Sequence, residues 1–221
     1  MPIVNYKERV ISCKIVYFGP SLGGKTTTIR VIHSATPEGN RSALQTIETE
    51  GDRTLFFDHF SLDLAEVGGL GVRFQVYGVP GEPFYRVTRK MVLTGADGVI
   101  FVADSASHRL ADNVASYNDL KELLGEHGYD YESIPLVMQY NKRDLEDKTS
   151  VDEFQFYINE RKVPYFESIA VESKGVGEPF KAICRAVVAK LNRDLTRAGS
   201  TPQPEPVAPE AGSGSNDDSI E

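Results

Sequence analysis

The stretch "VISCKIVYFGPSLGGKTTT", residues 10–28, limits the fold of this chain more than any other. Its first nine residues mix β-branched, aliphatic and aromatic side chains and read as a buried strand. A helical pattern begins after the glycines and stops at "ATPEGN", where Pro37 and Gly39 break it. The loop between them, "GPSLGGKT" at residues 19–26, has the spacing G-x-x-x-x-G-K-[ST]. Such a loop lets the backbone close around phosphates, so Gly19, Ser21, Leu22, Gly23 and Gly24 are expected to point N–H groups inward, while Pro20, which has no N–H, lines the same nucleotide-binding loop. The helix start adds the positive end of its dipole. Lys25 supplies a point charge for the outer phosphates, the Thr26 hydroxyl is placed for Mg²⁺, and Thr27 completes the cradle. A coincidental turn is the bland alternative, and the strand before and helix after argue against it.

The remainder of the chain continues the alternation. "RTLFFDHFSLDL" and "GVRFQVYGV" read as two strands of a hairpin joined by "AEVGGLG". "DGVIFVAD" is a near-continuous apolar run, as in a strand covered on both faces. Residues 106–127 carry a helical period with Leu110, Val114, Tyr117, Leu120 and Leu124 on one side. "IPLVMQY" is a further buried strand; a helix, the short strand "PYFESIA" and a last helix over 176–194 follow. Residues 40–52 are polar and weakly periodic and read as a mobile connection. The pattern predicts an α/β fold with a mostly parallel central sheet, one antiparallel hairpin and helices on both faces.

One domain over 1–198 is expected, followed by an acidic tail over 199–221 rich in Pro, Gly and Ser. The tail has too few large apolar residues to offset the entropy of ordering it. Net charge is −8; Glu205, Glu210, Asp217, Asp218 and Glu221 carry five of these charges with no base among them, leaving −3 for the rest. No concentrated basic face of the kind nucleic acid requires is legible. No run of about 18 apolar residues spans a membrane. Pro2 stands where myristoylation needs glycine, and "DDSIE" lacks a prenylation cysteine, so a cytoplasmic protein without a membrane anchor is expected. Cys13 and Cys184 fall in apolar patterns and read as buried thiols, and the four histidines lack ligand spacing.

"NKRD", residues 141–144, points to the base. It follows a buried strand, at the sheet edge where ligands collect in α/β folds. The Asp144 carboxylate can accept from both the N1–H and the exocyclic amine of guanine, whereas adenine offers no such donor pair. Asn141 can bond the other edge and bridge to the phosphate loop, and the Lys142 stem can cover the ring. A solvated charged turn is the bland reading of four such residues; behind a phosphate loop they favour GTP or GDP.

These stretches, with "NYKERVISCKIVYFGP", "ETEGDRTLFFD", "VPGEPFYRVTRKMVLTGADGVIFVADS" and "NKRDL", resemble small Ras-like GTPases, specifically the bacterial MglA family of polarity and gliding-motility GTPases. The resemblance covers roughly residues 3–195. It implies a P-loop NTPase with a Ras-like G domain, a switch loaded with GTP and Mg²⁺ at a cell pole, and a Roadblock-type, MglB-like activator protein. It implies further that Arg53 is an intrinsic arginine finger, that Thr54 belongs to the first switch and meets the metal, and that the Ala170 N–H meets the guanine oxygen. Gly81 and Glu82 fall in the second switch loop, and effectors are expected on loops 40–54 and 78–90.

Three residues depart from the pattern. Gly78 offers no side-chain oxygen where Ras-like proteins have Asp and the MglA family usually Thr, so a second hold on Mg²⁺ falls to Asp58 or Asp52. Glu82 replaces the glutamine that positions water, and Ser21 stands where the family has Gly. A carboxylate about 4 Å from phosphate charge costs around 4 kcal/mol at a dielectric of about 20, whereas a raised pKa or a water-orienting role acts the other way. The sequence therefore leaves two readings: an enzyme that hydrolyses GTP slowly until a partner accelerates it, and a protein that holds GTP without hydrolysing it and recruits effectors. An ATP-dependent kinase is a weak third, because "NKRD" opposes it.

Overall fold

The computed structural model describes residues 2–47, 57–67 and 69–199. Arg53, Thr54, Asp52 and the acidic tail from residue 200 lie outside the described residues.

The strand read at the start is β2 (Val10–Phe18), and the loop that follows it opens α1 (Lys25–Ala35). A short β1 (Ile3–Asn5) pairs antiparallel with its first half. Strands β4 (Phe57–Val67) and β5 (Leu70–Gly78) form the expected hairpin. They run into most of the Gly-rich stretch that the sequence assigns to the turn, because ladder pairing continues to Val67↔Leu70. The hairpin is followed by α2 (Arg86–Leu93), β6 (Gly98–Asp104), α3 (Leu110–Glu126), β7 (Leu136–Asn141), α4 (Val151–Ile158), β8 (Tyr165–Glu167) and α5 (Gly177–Gly199).

Part of the segment expected to be a mobile connection is instead β3 (Gln45–Ile47), paired antiparallel with β4, and Arg41 bridges to Leu62. A neighbouring strand edge overrides the weak local pattern there. The eight-stranded sheet runs β3-β4-β5-β2-β6-β7-β8, with β1 added on β2. Strands β5, β2, β6, β7 and β8 are parallel, so the ends of the first four deliver Gly78, Gly19, Asp104 and Asn141 to one edge.

The period-two alternation of β2 divides the core. Ile11, Cys13, Ile15 and Tyr17 pack with Ile29 of α1 and Ile183 of α5, while Val16 and Phe18 pack with α2, α3 and α4 on the other face. Every residue of β6 is buried, as its apolar run predicts. Both cysteines are buried free thiols, and burial pushes the Cys13 thiol up to about 12. Among the described residues, no helix is long and apolar enough to cross a membrane.

Candidate nucleotide site

The phosphate loop is held by the strands beside it. Gly24 has φ +98°, and a Cβ there would lie 2.1 Å from Asn141 Nδ2, so only glycine both takes that turn and admits the asparagine. Asn141 Nδ2 donates to the Gly23 carbonyl at 2.9 Å, while its Oδ1 accepts from Ser168 Oγ at 3.1 Å and from the Ala170 N–H at 3.0 Å. One buried side chain thus joins the phosphate loop, the β7 loop and the β8 loop.

Lys25 is 7% exposed, and its ammonium donates to the Gly19 and Pro20 carbonyls at 2.9 and 2.7 Å. Burial pushes it down to about 8, opposed by the charges of Glu82 and Asp58. Thr26 and Thr27 are half-buried on the first turn of α1. With Lys25, Asp58, Gly81 and Glu82 they line a cleft of about 280 Å³.

At the β7 end, Lys142 takes φ +65° and its ammonium binds the buried Asp104 carboxylate at 2.6 Å. Arg143 donates to Glu167 at 2.6 Å, to the Thr149 carbonyl at 2.7 Å and to Ser105 Oγ at 3.3 Å. These bonds fix the frame from which the exposed Asp144 projects.

The loop after β5 lies directly on the phosphate loop. A Cβ at Gly81 would sit 2.2 Å from the Ser21 nitrogen, so the two backbones touch. The buried Arg89 donates to the Glu82 carbonyl at 2.5 Å and binds Asp119 of α3 at 2.8 Å. Ser21 Oγ donates to Glu82 Oε1 at 2.7 Å. That bond is the main reason the Glu82 carboxyl is held below the usual carboxylate range, with Lys25 and Arg89 adding to it and partial burial opposing it. The protein groups around Glu82 therefore favour its ionised form, and a raised pKa there would have to come from phosphate charge.

A Ras family model matches residues 14–189. It is a Ras-family small GTPase, MglA-like in kind. The chain is 44% identical to the mutual gliding-motility protein MglA of Myxococcus xanthus over 193 residues, 87% of this chain and 99% of that protein. It is 30% identical to the GTP-binding protein YPTM1 of Zea mays over 58% of this chain and 60% of that protein. Similarity to the Ras-related protein Rab-13 of Rattus norvegicus is 24% over 86% of each chain.

In this GTPase the structure brings together Gly19, Pro20, Ser21, Leu22, Gly23, Gly24, Lys25, Thr26, Thr27, Gly81 and Glu82 around one cleft and loop. Asn141, Lys142, Asp144 and Ala170 gather at the adjoining edge. Arg53 and Thr54 lie outside the described residues. Sequence reasoning missed Asp104, Arg143, Gln139 and Arg89. Gln139 Nε2 ties Thr28 Oγ1 to Ser168 Oγ, at 3.0 Å each. For Asp104 and Gln139 the available signal was polarity inside or at the end of a buried strand, where an unpaired polar group is costly; Arg89 on α2 and Arg143 in the loop after β7 gave no such signal.

Asp58 is 2% exposed and stands opposite Gly78 in the β4–β5 ladder. A Cβ on Gly78 would meet Asp58 Oδ2 at 3.6 Å but Ile29 Cδ1 at 2.4 Å, so the space for a side chain at 78 is occupied by α1. Gly78→Ala is expected to lower stability by about 1–3 kcal/mol through overpacking. Ile29→Val, which removes that Cδ1, should recover most of the loss in the double variant. Urea midpoints check this; an unchanged midpoint for Gly78→Ala would show that Ile29 yields freely.

Proposed function

We propose that this GTPase is a switch that binds GTP with Mg²⁺, hydrolyses it to GDP and phosphate, and is accelerated by a partner protein. The observation that carries the reading is Asn141, which ties the phosphate loop to both loops of the base-reading edge. Asp144 would read guanine, and the Ala170 N–H at the same corner, which here donates to Asn141 Oδ1, would have to share or exchange that bond to meet the base oxygen. Hydroxyl and carboxylate oxygens suit a hard divalent cation. Thr26 and Asp58, both lining the cleft, fit that chemistry, with Thr26 and Thr54 as ligands and Asp58 supporting them in place of a side chain at 78. Bound there, Mg²⁺ supplies charge neutralisation of the outer phosphates.

Phe84 is 94% exposed and Val87 72%, with Met91 exposed one turn further along the same segment. Such a surface supports recognition by an activator of the Roadblock, MglB-like type or by effectors, through loops 40–54 and 78–90. The name of the Myxococcus relative, a mutual gliding-motility protein, supports a role in motility. A part in cell polarity, in the cytoplasm with recruitment to a pole, belongs to the same proposed reading. We read residues 1–198 as the G domain and 199–221 as a solvated tail.

Single-turnover hydrolysis of GTP by the full chain with Mg²⁺, alone and with a Roadblock-type partner, tests the reading. Phosphate release that is slow alone and faster with the partner is expected. Tight GTP binding without phosphate release in both cases overturns hydrolysis and leaves a GTP-holding recruiter.

A further inference from the structure

We propose that Ser21 is a positioning residue for GTP hydrolysis: its hydroxyl fixes the Glu82 carboxylate at the mouth of the phosphate loop, and the two side chains work as one unit. The proposal rests on the hydrolysis reading above.

Contact between an exposed hydroxyl and an exposed carboxylate is ordinarily worth little, because both side chains pay no penalty for turning to water. Here both backbones are already fixed. Arg109 Nη2 donates to the Ser21 carbonyl at 2.7 Å. Arg89 holds the Glu82 carbonyl at 2.5 Å and is itself anchored on Asp119. Gly81 brings the two loops into contact, with no room for a Cβ between them. With these ends pinned, the 2.7 Å bond from Ser21 Oγ to Glu82 Oε1 selects one carboxylate rotamer.

The chemical consequence follows from what an ionised carboxylate can do. It can only accept, so a glutamate in this loop cannot hold water and phosphate as an amide does. Ser21 uses one of the carboxylate's lone-pair sites, and in this proposal Oε2 accepts from the attacking water. The Ser21 donor and the nearby Lys25 ammonium offset part of the negative charge that would otherwise oppose the phosphates. In the step itself the water oxygen bonds to the γ-phosphorus and the bond to the β–γ bridging oxygen breaks. That electron pair leaves with GDP, and the water proton ends on the released phosphate. Glu82 accepts a hydrogen bond throughout and emerges unchanged, and Ser21 touches Glu82 rather than the reacting atoms.

A double-mutant cycle on single-turnover hydrolysis by the full chain tests this. Ser21→Ala should slow phosphate release about tenfold, or about 1.4 kcal/mol, near the lower bound for a hydrogen bond to a charged group. In the Glu82→Ala background the same change should cost less than about twofold. Ser21→Thr, which keeps the hydroxyl, should return the rate to within about threefold of the wild type. Equal costs in both backgrounds, or a faster Ser21→Ala variant, would overturn the pairing while leaving hydrolysis intact. If Glu82→Ala proves too slow to measure, Ser21→Thr no faster than Ser21→Ala overturns it equally. A wild type that binds GTP yet releases no phosphate sinks the hydrolysis reading, and this inference with it.

Discussion

Asp144→Asn should weaken GDP binding by about two to four orders of magnitude and create affinity for xanthosine diphosphate. The carboxylate presents two acceptors, matched to the N1–H and exocyclic amine of guanine. Each hydrogen bond to a charged acceptor contributes about 1.5–3 kcal/mol, so the pair accounts for about 3–6 kcal/mol. An asparagine presents one acceptor and one donor. It still accepts from N1–H, but its amide faces the guanine amine donor to donor. Xanthine carries an oxygen at that position and restores the match. Discrimination of this kind is steep because the wrong partner leaves a desolvated group without a bond. The frame around Asp144 should survive the change: Arg143 holds the loop through Glu167 and the Thr149 carbonyl, and Lys142 holds it through Asp104. Titration with fluorescent GDP and XDP would measure the swing. Unchanged GDP affinity would mean that the base is read elsewhere.

Arg53→Ala should slow single-turnover hydrolysis by about three orders of magnitude while GDP remains bound. A guanidinium brought to the γ-phosphoryl oxygens stabilises charge that spreads over them in the transition state, and such a group is worth about 10³–10⁵ in rate. The expectation comes from the "DRTLFFD" match to the MglA family, since Arg53 lies outside the described residues. The alternative, an arginine pairing with a neighbouring acid such as Asp52, would cost little when removed. Arg53→Lys separates charge from shape: a lysine keeps the charge but not the planar fork, and a partial rate is expected. Equal rates in wild type and Arg53→Ala would remove the finger from the mechanism.

The parts legible in the sequence were those written in contiguous residues. The apolar run of β6 reported its double coverage, and the period of residues 106–127 reported the buried Tyr117, Leu120 and Leu124 of α3. The phosphate loop and "NKRD" were legible because each is a short segment whose chemistry depends on its own spacing. Within the segment 40–52 that reads as a mobile connection, Gln45–Ile47 is instead a strand, because what makes it one is the edge of β4, 10 to 14 residues away in the chain.

The sequence by itself determined an alternating α/β chain, a phosphate-binding loop between strand and helix, and an acidic residue suited to guanine at the end of a later strand. Only the tertiary structure decided how these parts act on one another. It set Asn141 under the phosphate loop, put Ile29 where a side chain at 78 would go, placed Asp58 opposite that position, and joined Ser21 to Glu82 across two loops. Periodicity and motif spacing are properties of neighbours along the chain. The contact of residues 21 and 82 depends instead on the register of β2 with β5 and on two arginines that hold the loops together, and no local pattern carries that information.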